Sequence, residues 1–350
     1  MDANKKKRNP LLVAAVILLL LAATLCAVVG GLWLSGRSAA RQPEKAPELP
    51  QEQGEQDTGS YVTYEGKRYR YNEDMFNVLL MGIDADVDPS QAEGIREQSD
   101  LVVLAALDMK KDKLTLITIP RDLICDVQLV DDAGELIGIK RTHLNMAYTY
   151  GDGTHGSCKL VCDAVSNIFY GLPIHRYGAY FMNGIAALND AVGGVTLVVS
   201  DDYPFWNVEG AQRLVAGETV TLTGEEAVWY TRCRWMEHPD GTALRLMRQK
   251  QYIQALIDQA MEKVVSDPAS ALGMYNAVSD YVITNVGLGE ITYLASQVAG
   301  MEFSGQIRTV EGTSHITEDM YLEVIPDQQA LYALMLDVFY TEAEDETPAP

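Results

Sequence analysis

An uncharged run from Leu11 to Leu34 limits what the N-terminal part of this chain can fold into. As an α-helix rising about 1.5 Å per residue, the run reaches roughly 36 Å, enough to cross the hydrocarbon core of a bilayer. A cleavable signal peptide has a hydrophobic region of only about 7–15 residues, although Ser38-Ala39-Ala40 offers a cleavage site. We therefore expect a transmembrane helix over residues 11–34 that is retained as an anchor.

The segments on either side of this run predict how the chain is divided. Residues 1–10 form a short basic leader, which the positive-inside rule keeps in the cytoplasm, so everything after the helix is extracytoplasmic at the cell membrane. Residues 35–72 are rich in Pro, Glu and Gln and predict a disordered linker, and residues 341–350 predict a similar tail. Residues 73–340 remain, enough for one large extracytoplasmic domain.

The charge balance excludes one class of partner. The chain has 49 acidic and 27 basic residues, a formal net charge of −22 at pH 7. Such a chain repels nucleic acid, so we expect no nucleic-acid partner. Anionic lipids and acidic wall polymers are repelled as well, and any phosphate site must therefore be a local basic pocket.

The pattern after residue 75 alternates strand-like and helix-like segments. Three apolar runs, Phe76–Ile83, Leu101–Leu107 and Leu114–Pro120, predict strands of one sheet, the last two joined as a hairpin. The further candidate strands are Tyr177–Phe181, Val195–Val199 and Gln306–Val310, and the candidate helices are Cys158–Phe169, Asn183–Val192, Gly224–Thr231, Leu244–Val264, Leu288–Val298 and Asp327–Tyr340. This alternation predicts an α/β fold, a three-layer α/β/α sandwich with a mixed central sheet, preceded by one transmembrane helix.

Two aspartates stand at predicted strand ends. Asp84 follows the first buried strand, and Asp100 opens the second after a loop. Ligands of open α/β sheets gather at strand ends, so these carboxylates could hold a Mg²⁺ ion that bridges phosphates. The alternative is that both are solvated loop residues. The histidines show no metal-ligand spacing, and no Ser-His-Asp order suggests an acyl-transfer nucleophile.

Arginines supply the opposite charge. Arg121 ends the third strand, beside Asp122, and is predicted to reach the same sheet edge as Asp84. The remaining candidates lie in one short stretch: Arg232, Arg234, Arg245, Arg248 and Gln249. Taken singly, each arginine is more often a surface residue. Together, in an acidic chain, they predict a site for a phosphate or diphosphate.

The cysteines outside the membrane leave two readings open. They are Cys125, Cys158, Cys162 and Cys233. Export permits disulfides, yet a Cys-x-x-x-Cys pair on a helix is awkwardly placed to bridge to itself, and no spacing suggests zinc. Buried free thiols are the other reading.

Several short motifs occur together in one order. They are Gly82-x-Asp84, Ser99-Asp100, Ile119-Pro120-Arg121-Asp122, Leu144-Asn145-x-Ala147-Tyr148 with Tyr150-Gly151, Asp190-Ala191-Val192-Gly193-Gly194-Val195, Leu222-Thr223-Gly224-Glu225-Glu226-Ala227, Arg232-x-Arg234 and Arg245-x-x-Arg248-Gln249. From about Phe76 to Leu256, the chain resembles the LytR-CpsA-Psr family of cell-wall glycopolymer phosphotransferases.

The resemblance implies an activity and roles for these residues. Such an enzyme moves an anionic glycopolymer, of teichoic acid or capsular polysaccharide type, from a polyprenyl diphosphate carrier to peptidoglycan through a phosphodiester. By motif match, Asp84 and Asp100 would hold Mg²⁺. The diphosphate would be bound by Arg121, Arg232, Arg234, Arg245, Arg248 and Gln249. Asp122 would orient Arg121.

The chain departs from the family pattern at two positions. The family usually has arginine where Asp86 and Gln98 stand here, with Arg96 nearby. The loss weakens anion binding on that side and leaves two other readings open, a polyprenyl diphosphate hydrolase and a non-catalytic lipid-binding or regulatory protein of the envelope. A haloacid-dehalogenase-type phosphatase also begins with a strand and Asp-x-Asp, but expects Thr or Val where Asp88 stands.

Overall fold

A computed structural model describes residues 46–50, 61–85, 89–94, 97–202, 214–233, 241–267, 269–319 and 321–343. The predicted membrane helix at 11–34 lies outside these ranges, as do Asp86, Asp88, Arg96 and Arg234. Within the described ranges, no helix combines the length and the apolar composition that a bilayer crossing requires.

The described strands and helices alternate along most of the chain. The strands are β1 (Tyr61–Tyr64), β2 (Lys67–Tyr71), β3 (Met75–Ile83), β4 (Ser99–Asp108), β5 (Lys113–Thr118), β6 (Ile124–Val130), β7 (Leu136–His143), β8 (Arg176–Phe181), β9 (Val195–Val198), β10 (Thr219–Leu222), β11 (Val282–Thr284), β12 (Glu302–Thr309), β13 (Gly312–Ile316), β14 (Leu322–Pro326) and β15 (Tyr340–Glu342). The helices are α1 (Met146–Thr149), α2 (His155–Ile168), α3 (Ile185–Val192), α4 (Gly224–Arg232), α5 (Gly241–Ser266), α6 (Ser270–Val278), α7 (Leu288–Val298) and α8 (Gln328–Phe339).

A six-stranded mixed sheet forms the centre, in the order β11-β8-β3-β4-β5-β12. Strand β3 runs antiparallel to β4 and parallel to β8, and β5 runs antiparallel to β4 and parallel to β12. The three apolar runs therefore share one sheet, and the mixed central sheet is confirmed. Strand β9 differs, because it pairs only with β10 in a separate two-stranded sheet.

Helices cover both faces of the central sheet. On one face, residues such as Leu79 and Leu104 pack in the same core as Val161 of α2 and Met335 of α8. On the other face, alternate residues such as Val103 pack with side chains of α5 and α7. A strand whose side chains are buried on both faces is continuously apolar, which is why β3 and β4 lack polar alternation.

Three hairpins outside the central sheet have no counterpart among the predicted elements: β1–β2, β6–β7 and β13–β14. The first lies within residues 35–72, where a disordered linker was expected, and β2 also pairs with β15, which extends into the expected tail. Both expectations are wrong for these residues, because Val62 and Tyr71 are buried in the core. Strand β7 is exposed along most of its length, and its residues do not alternate between apolar and polar in the way a half-buried strand does. The β6–β7 hairpin nevertheless matters for the site, because its two ends join Arg121 to Asn145.

Candidate active site

A β-bulge places Asp100 at one edge of the central sheet. Gly82 pairs with Leu101 and Ile83 pairs with Ser99, so Asp100 stands opposite no residue of β3. Such a bulge bends the strand and redirects its side chains. Gly82 also permits the close approach, because a Cβ added there would lie 3.0 Å from Cβ of Leu101. The glycine of the Gly82-x-Asp84 motif thus allows β3 and β4 to approach closely at the bulge.

The arginine that follows β5 meets this bulge. Nη1 of Arg121 lies 2.7 Å from Oδ1 of Asp100, and its Nε lies 3.6 Å from Oδ2 of Asp122. The backbone amide of Ile119 donates to the carbonyl of Val102, which extends the β4–β5 pairing to the edge. The end of β5 therefore meets the start of β4, which is paired with the end of β3, and Asp122 lies beside Nε of the same guanidinium.

Charge is concentrated at this edge. Burial raises the pKa of the Asp100 carboxyl above its ordinary value; Arg121 opposes this, and the nearby carboxylates of Asp84 and Asp122 raise it further. Burial alone would lower the pKa of Arg121, but Asp100 and Asp122 raise it overall. Asp84 is exposed at the end of β3, and its amide donates to the carbonyl of Gln98. Two carboxylates thus contact one half-exposed guanidinium, and the charge of the third, Asp84, acts on Asp100.

Asn145 links the two sides of this edge. Its backbone amide donates to the carbonyl of Arg121 at 3.0 Å, and its own carbonyl accepts from the amide of Ser99 at 3.4 Å. Its side-chain Nδ2 donates to Oε1 of Gln98 at 2.9 Å. Gln98, where the resemblance led us to expect arginine, thus accepts a hydrogen bond from Asn145. The sequence motif contains Asn145, but its spacing gave no reason to assign it a role.

Two buried oxygens beside Asp100 test whether a divalent cation fits. The Ser99 hydroxyl and Oδ1 of Asn145 are buried and have no hydrogen-bond partner among the described residues. Mg²⁺ is usually bound by one or two carboxylates and keeps several waters, which hydrogen-bond to such oxygens. In the described part of the chain, no group of three or more His, Cys, Asp or Glu side chains could hold a metal ion. Two carboxylates with unpaired oxygens nearby therefore suit Mg²⁺ better than zinc.

The second group of predicted residues lies on α4 and α5. Arg232 is the last residue of α4 and is partly buried, and Arg245 and Arg248 are one turn apart near the start of α5. The Nε of Arg245 is buried and has no partner among the described residues. A buried donor without an acceptor carries a desolvation penalty that an anionic ligand would remove. An anion bound beside Arg245 would supply the acceptor that this Nε lacks.

Arg248 and Gln249 have different surroundings. The Arg248 side chain is fully buried, and its Nη1 lies 2.7 Å from Oδ2 of Asp201. Its Nε donates to the carbonyl of Tyr230 and its Nη2 to that of Cys233. Nε2 of Gln249 donates to the carbonyl of Thr231 at 2.9 Å. No spacing pointed to Asp201, because it lies 47 positions from Arg248.

The glycine-rich motifs support helix packing. Thr223 and Glu226 form a capping box at the start of α4, with the amide of Glu226 donating to Thr223 Oγ1 and the amide of Thr223 to Glu226 Oε2. A Cβ added to Gly224 would lie 2.8 Å from the carbonyl oxygen of Ala186, so glycine lets α4 approach α3. Gly193 ends α3 with φ of 100°, a conformation that favours glycine.

The four cysteines among the described residues form no disulfide bond. Cys125, Cys158 and Cys162 are buried, and Cys233 is partly buried. Burial raises the pKa of Cys125 and Cys162 to about 12. A thiol with so high a pKa is a poor nucleophile at neutral pH, so these residues serve as packing groups.

The chain matches the LytR_cpsA_psr family over residues 37–334. It is 25% identical over 258 residues to the polyisoprenyl-teichoic acid–peptidoglycan teichoic acid transferase TagU of Enterococcus faecalis, covering 74% of this chain and 77% of that protein. The crystal structure of TagV from B. subtilis superposes with a TM-score of 0.56 at 25% identity, covering 76% of this chain and 96% of that one. A structure from Streptococcus agalactiae shares the fold, with a TM-score of 0.58 at 22% identity, covering 76% of this chain and 86% of that one. This chain therefore belongs to the LytR_cpsA_psr family.

Proposed function

We propose that this protein transfers an anionic glycopolymer, of teichoic acid or capsular polysaccharide type, from a polyprenyl diphosphate carrier to peptidoglycan. The relative from Enterococcus faecalis is named for transfer of a polyisoprenyl-linked teichoic acid to peptidoglycan. The observation that carries the proposal is the contact of Arg121 with Asp100, at 2.7 Å, on the bulged edge that also bears Asp84. Both carboxylates for a cation and a guanidinium for a phosphate are available there.

Binding and neutralising charge account for the chemistry that these side chains can perform. The Arg121 guanidinium binds oxygens of the diphosphate, and Asp122 limits its rotation. On the helices, Arg232, Arg234 and Arg245 bind the remaining oxygens. Phosphoryl transfer depends mainly on positioning and charge stabilisation, so the site needs no covalent nucleophile. The acceptor hydroxyl of peptidoglycan attacks the phosphorus next to the glycan, and the bond from that phosphorus to the bridging oxygen of the diphosphate breaks. Polyprenyl phosphate leaves with that oxygen and takes up the proton that the hydroxyl loses.

A Mg²⁺ ion completes the proposed site. Asp84 and Asp100 would hold it, and the unpaired oxygens of Ser99 and Asn145 would accept hydrogen bonds from its waters. When bound, the ion supplies charge neutralisation on the diphosphate oxygens. Its presence would also compensate the cost of burying Asp100 among other carboxylates.

The setting of the reaction belongs to the same proposal. A helix over residues 11–34 anchors the chain once in the cell membrane, with the N-terminus inside. The domain over residues 73–340 then works on the outer side, where both the lipid-linked donor and peptidoglycan are found.

The test is a transfer assay with the full chain in detergent. With lipid-linked glycopolymer, Mg²⁺ and peptidoglycan oligomers, we expect a product in which glycan and peptidoglycan are joined through phosphate. The Asp100→Asn variant should be slower by about a hundredfold or more, because Mg²⁺ would lose one of its two carboxylate ligands and Arg121 its ion-pair partner. The matched control is Asp126→Asn, which removes an exposed carboxylate 3.3 Å from Arg141 on the β6–β7 hairpin.

Two other outcomes would contradict the proposal in different ways. Release of phosphorylated glycan without an acceptor requirement would identify a polyprenyl diphosphate hydrolase. Gln98 favours this second function, because it replaces an arginine of the family and its amide is engaged by Asn145. Equal behaviour of Asp100→Asn and the unaltered protein in cells would identify a non-catalytic envelope protein.

A further inference from the structure

The C-terminal end of α4 is held by two consecutive side chains of α5. The last carbonyls of a helix have no partner within the helix, and they bind water unless side chains reach them. Here Arg248 donates hydrogen bonds to two of these carbonyls, from Nε to Tyr230 at 3.1 Å and from Nη2 to Cys233 at 2.6 Å. Gln249 accounts for the carbonyl of Thr231 at 2.9 Å. The backbone is therefore fixed on both sides of Arg232.

Arg248 is suited to holding this end because its charge is already neutralised. Its side chain is 0% exposed, and that of Asp201, which lies 2.7 Å away, is 12% exposed. All three guanidinium nitrogens donate to protein acceptors. Oδ1 of Asp201 accepts from the Ser200 hydroxyl, which fixes the carboxylate in turn. A buried ion pair with this many partners resists rearrangement when a ligand binds.

The neighbouring arginine on α5 contrasts with Arg248. Arg245 lies one turn earlier, and its buried Nε has no acceptor among the described residues. The two arginines of one motif therefore have different surroundings: all three nitrogens of the Arg248 guanidinium have acceptors within the protein, and the buried Nε of Arg245 has none among the described residues. This division separates binding an anion from holding the backbone that presents it.

We propose that Asp201 and Arg248 form a clamp that positions Arg232 for the diphosphate and that neither residue contacts the anion. The inference rests on the proposed function, since it concerns how that site holds its ligand. A helix end frays readily, and a guanidinium carried by a moving backbone loses binding geometry. The Asp201–Arg248 clamp holds the backbone at the end of α4, and so fixes the position of Arg232.

Removing the charge of Asp201 separates this role from simple electrostatics. An Asp201→Asn substitution deletes a negative charge near a cationic site, so electrostatics alone would strengthen the binding of an anion. Loss of the clamp would weaken it, because Arg248 loses its counter-charge and releases the end of α4. The two explanations predict changes of opposite sign in one measurement.

The experiment is a double-mutant cycle. Calorimetry measures the affinity of the full chain in detergent for inorganic diphosphate. We expect Asp201→Asn to weaken binding by about tenfold to a hundredfold, as misplacement of a binding group does. In an Arg232→Ala background, the same substitution should change affinity by less than about twofold, because its target is gone. Asp337→Asn, which breaks the exposed Arg308–Asp337 pair, is the matched control and should leave affinity unchanged.

The possible results overturn different statements. Equal or tighter binding by Asp201→Asn overturns the clamp alone. Equal losses in both backgrounds show that Asp201 and Arg248 act independently of Arg232, which also overturns it. Absence of diphosphate binding by the unaltered protein overturns both the clamp and the proposed function. If Asp201→Asn does not fold by circular dichroism, Arg248→Lys keeps the charge, loses the fork of donors to Tyr230 and Cys233, and takes its place in the cycle.

Discussion

Arginines that look alike in the sequence occupy three kinds of surroundings. Arg121 is 44% exposed and lies between two carboxylates. Arg248 is fully buried and bound on all sides by protein. Arg245 has a buried donor without a partner among the described residues. The side chain of each residue is the same, and its acceptors decide whether it binds a ligand or supports the backbone.

The planar, forked guanidinium of Arg121 predicts that lysine cannot replace this residue. In an Arg121→Lys variant the charge remains, but one ammonium cannot contact Asp100, Asp122 and a phosphate in the way that a planar guanidinium can. We expect the rate of glycopolymer transfer to fall at least about tenfold, with little change in melting temperature. Initial rates with lipid-linked donor and peptidoglycan oligomers measure the effect.

Arg141→Lys provides the comparison. Arg141 is 61% exposed and pairs with Asp126 on the neighbouring hairpin, so the same substitution should leave the rate unchanged. An Arg121→Lys enzyme as fast as the Arg141→Lys enzyme would remove Arg121 from the reaction.

A short polar loop fixes the start of helix α2. Oδ1 of Asp152 accepts from the amides of Thr154 and Ser157, at 2.7 and 3.0 Å, and Oδ2 from that of Gly156 at 3.2 Å. Burial alone would raise the pKa of Asp152, but these amides lower it overall. Gly151 is required beside them, because a Cβ there would lie 2.4 Å from Oγ of Ser157. The Tyr150-Gly151 motif therefore belongs to the entry of this helix.

Removing this carboxylate should destabilise the protein. We expect Asp152→Ala to reduce the free energy of unfolding by about 1–2 kcal/mol, because the first amides of α2 lose their acceptor. Urea titration at pH 7 measures the loss. Since the pKa of Asp152 is lowered in the folded state, its contribution is present at neutral pH and is lost as pH falls through that pKa.

Asp132→Ala is the matched substitution, in an exposed turn of the β6–β7 hairpin. It should change the unfolding free energy by no more than about 0.5 kcal/mol. If the two variants have equal stability, the hydrogen bonds of Asp152 contribute nothing to the helix.

This acidic protein has its arginine side chains at a few defined places. The formal net charge is −22, yet arginines occur at the sheet edge, on α4 and on α5. Long-range repulsion of anionic polymers then coexists with local binding of a phosphate. Stability also depends on the half-buried His175. Its Nδ1 accepts from the amide of Asn77 at the start of the central sheet, which only a neutral ring can do.

Acid should destabilise the fold through His175. Burial lowers its pKa from 6.5 to about 4, with the charge of Arg176 adding to the effect. Below pH 6.5 the unfolded chain binds a proton at His175, whereas the folded chain does not bind it until the pH is near 4. The free energy of unfolding therefore decreases as the pH is lowered from 6.5, and the decrease is complete below about pH 4. The contribution is about 3 kcal/mol at most.

Unfolding free energies at pH 7 and pH 4.5 test this expectation. A His175→Gln variant lacks the titrating group, so its stability should fall less between these two values than that of the unaltered protein. Leu331→Ala, at a core position 1% exposed, controls for general destabilisation and should keep the original pH dependence. Parallel pH profiles for His175→Gln and the unaltered protein would contradict the role of His175.

The amino-acid sequence by itself determined the central strands, most helices and the charged residues at the strand ends, because hydrophobic periodicity is a local property of the chain. The runs that became β3, β4 and β5 could be identified because they are buried on both faces. The motif order also indicated the family. Hairpins such as β6–β7 could not be identified, since exposed strands lack that periodicity.

The tertiary structure decided which partner each functional side chain has. The bulge opposite Gly82 turned Asp100 towards Arg121, and Asn145 joined the two strand ends from a distant loop. Asp201 became the counter-charge of Arg248 across 47 positions. Sequence spacing specifies neighbours along one helix or strand, whereas the neutralisation of a buried charge depends on groups that only folding brings within hydrogen-bond distance.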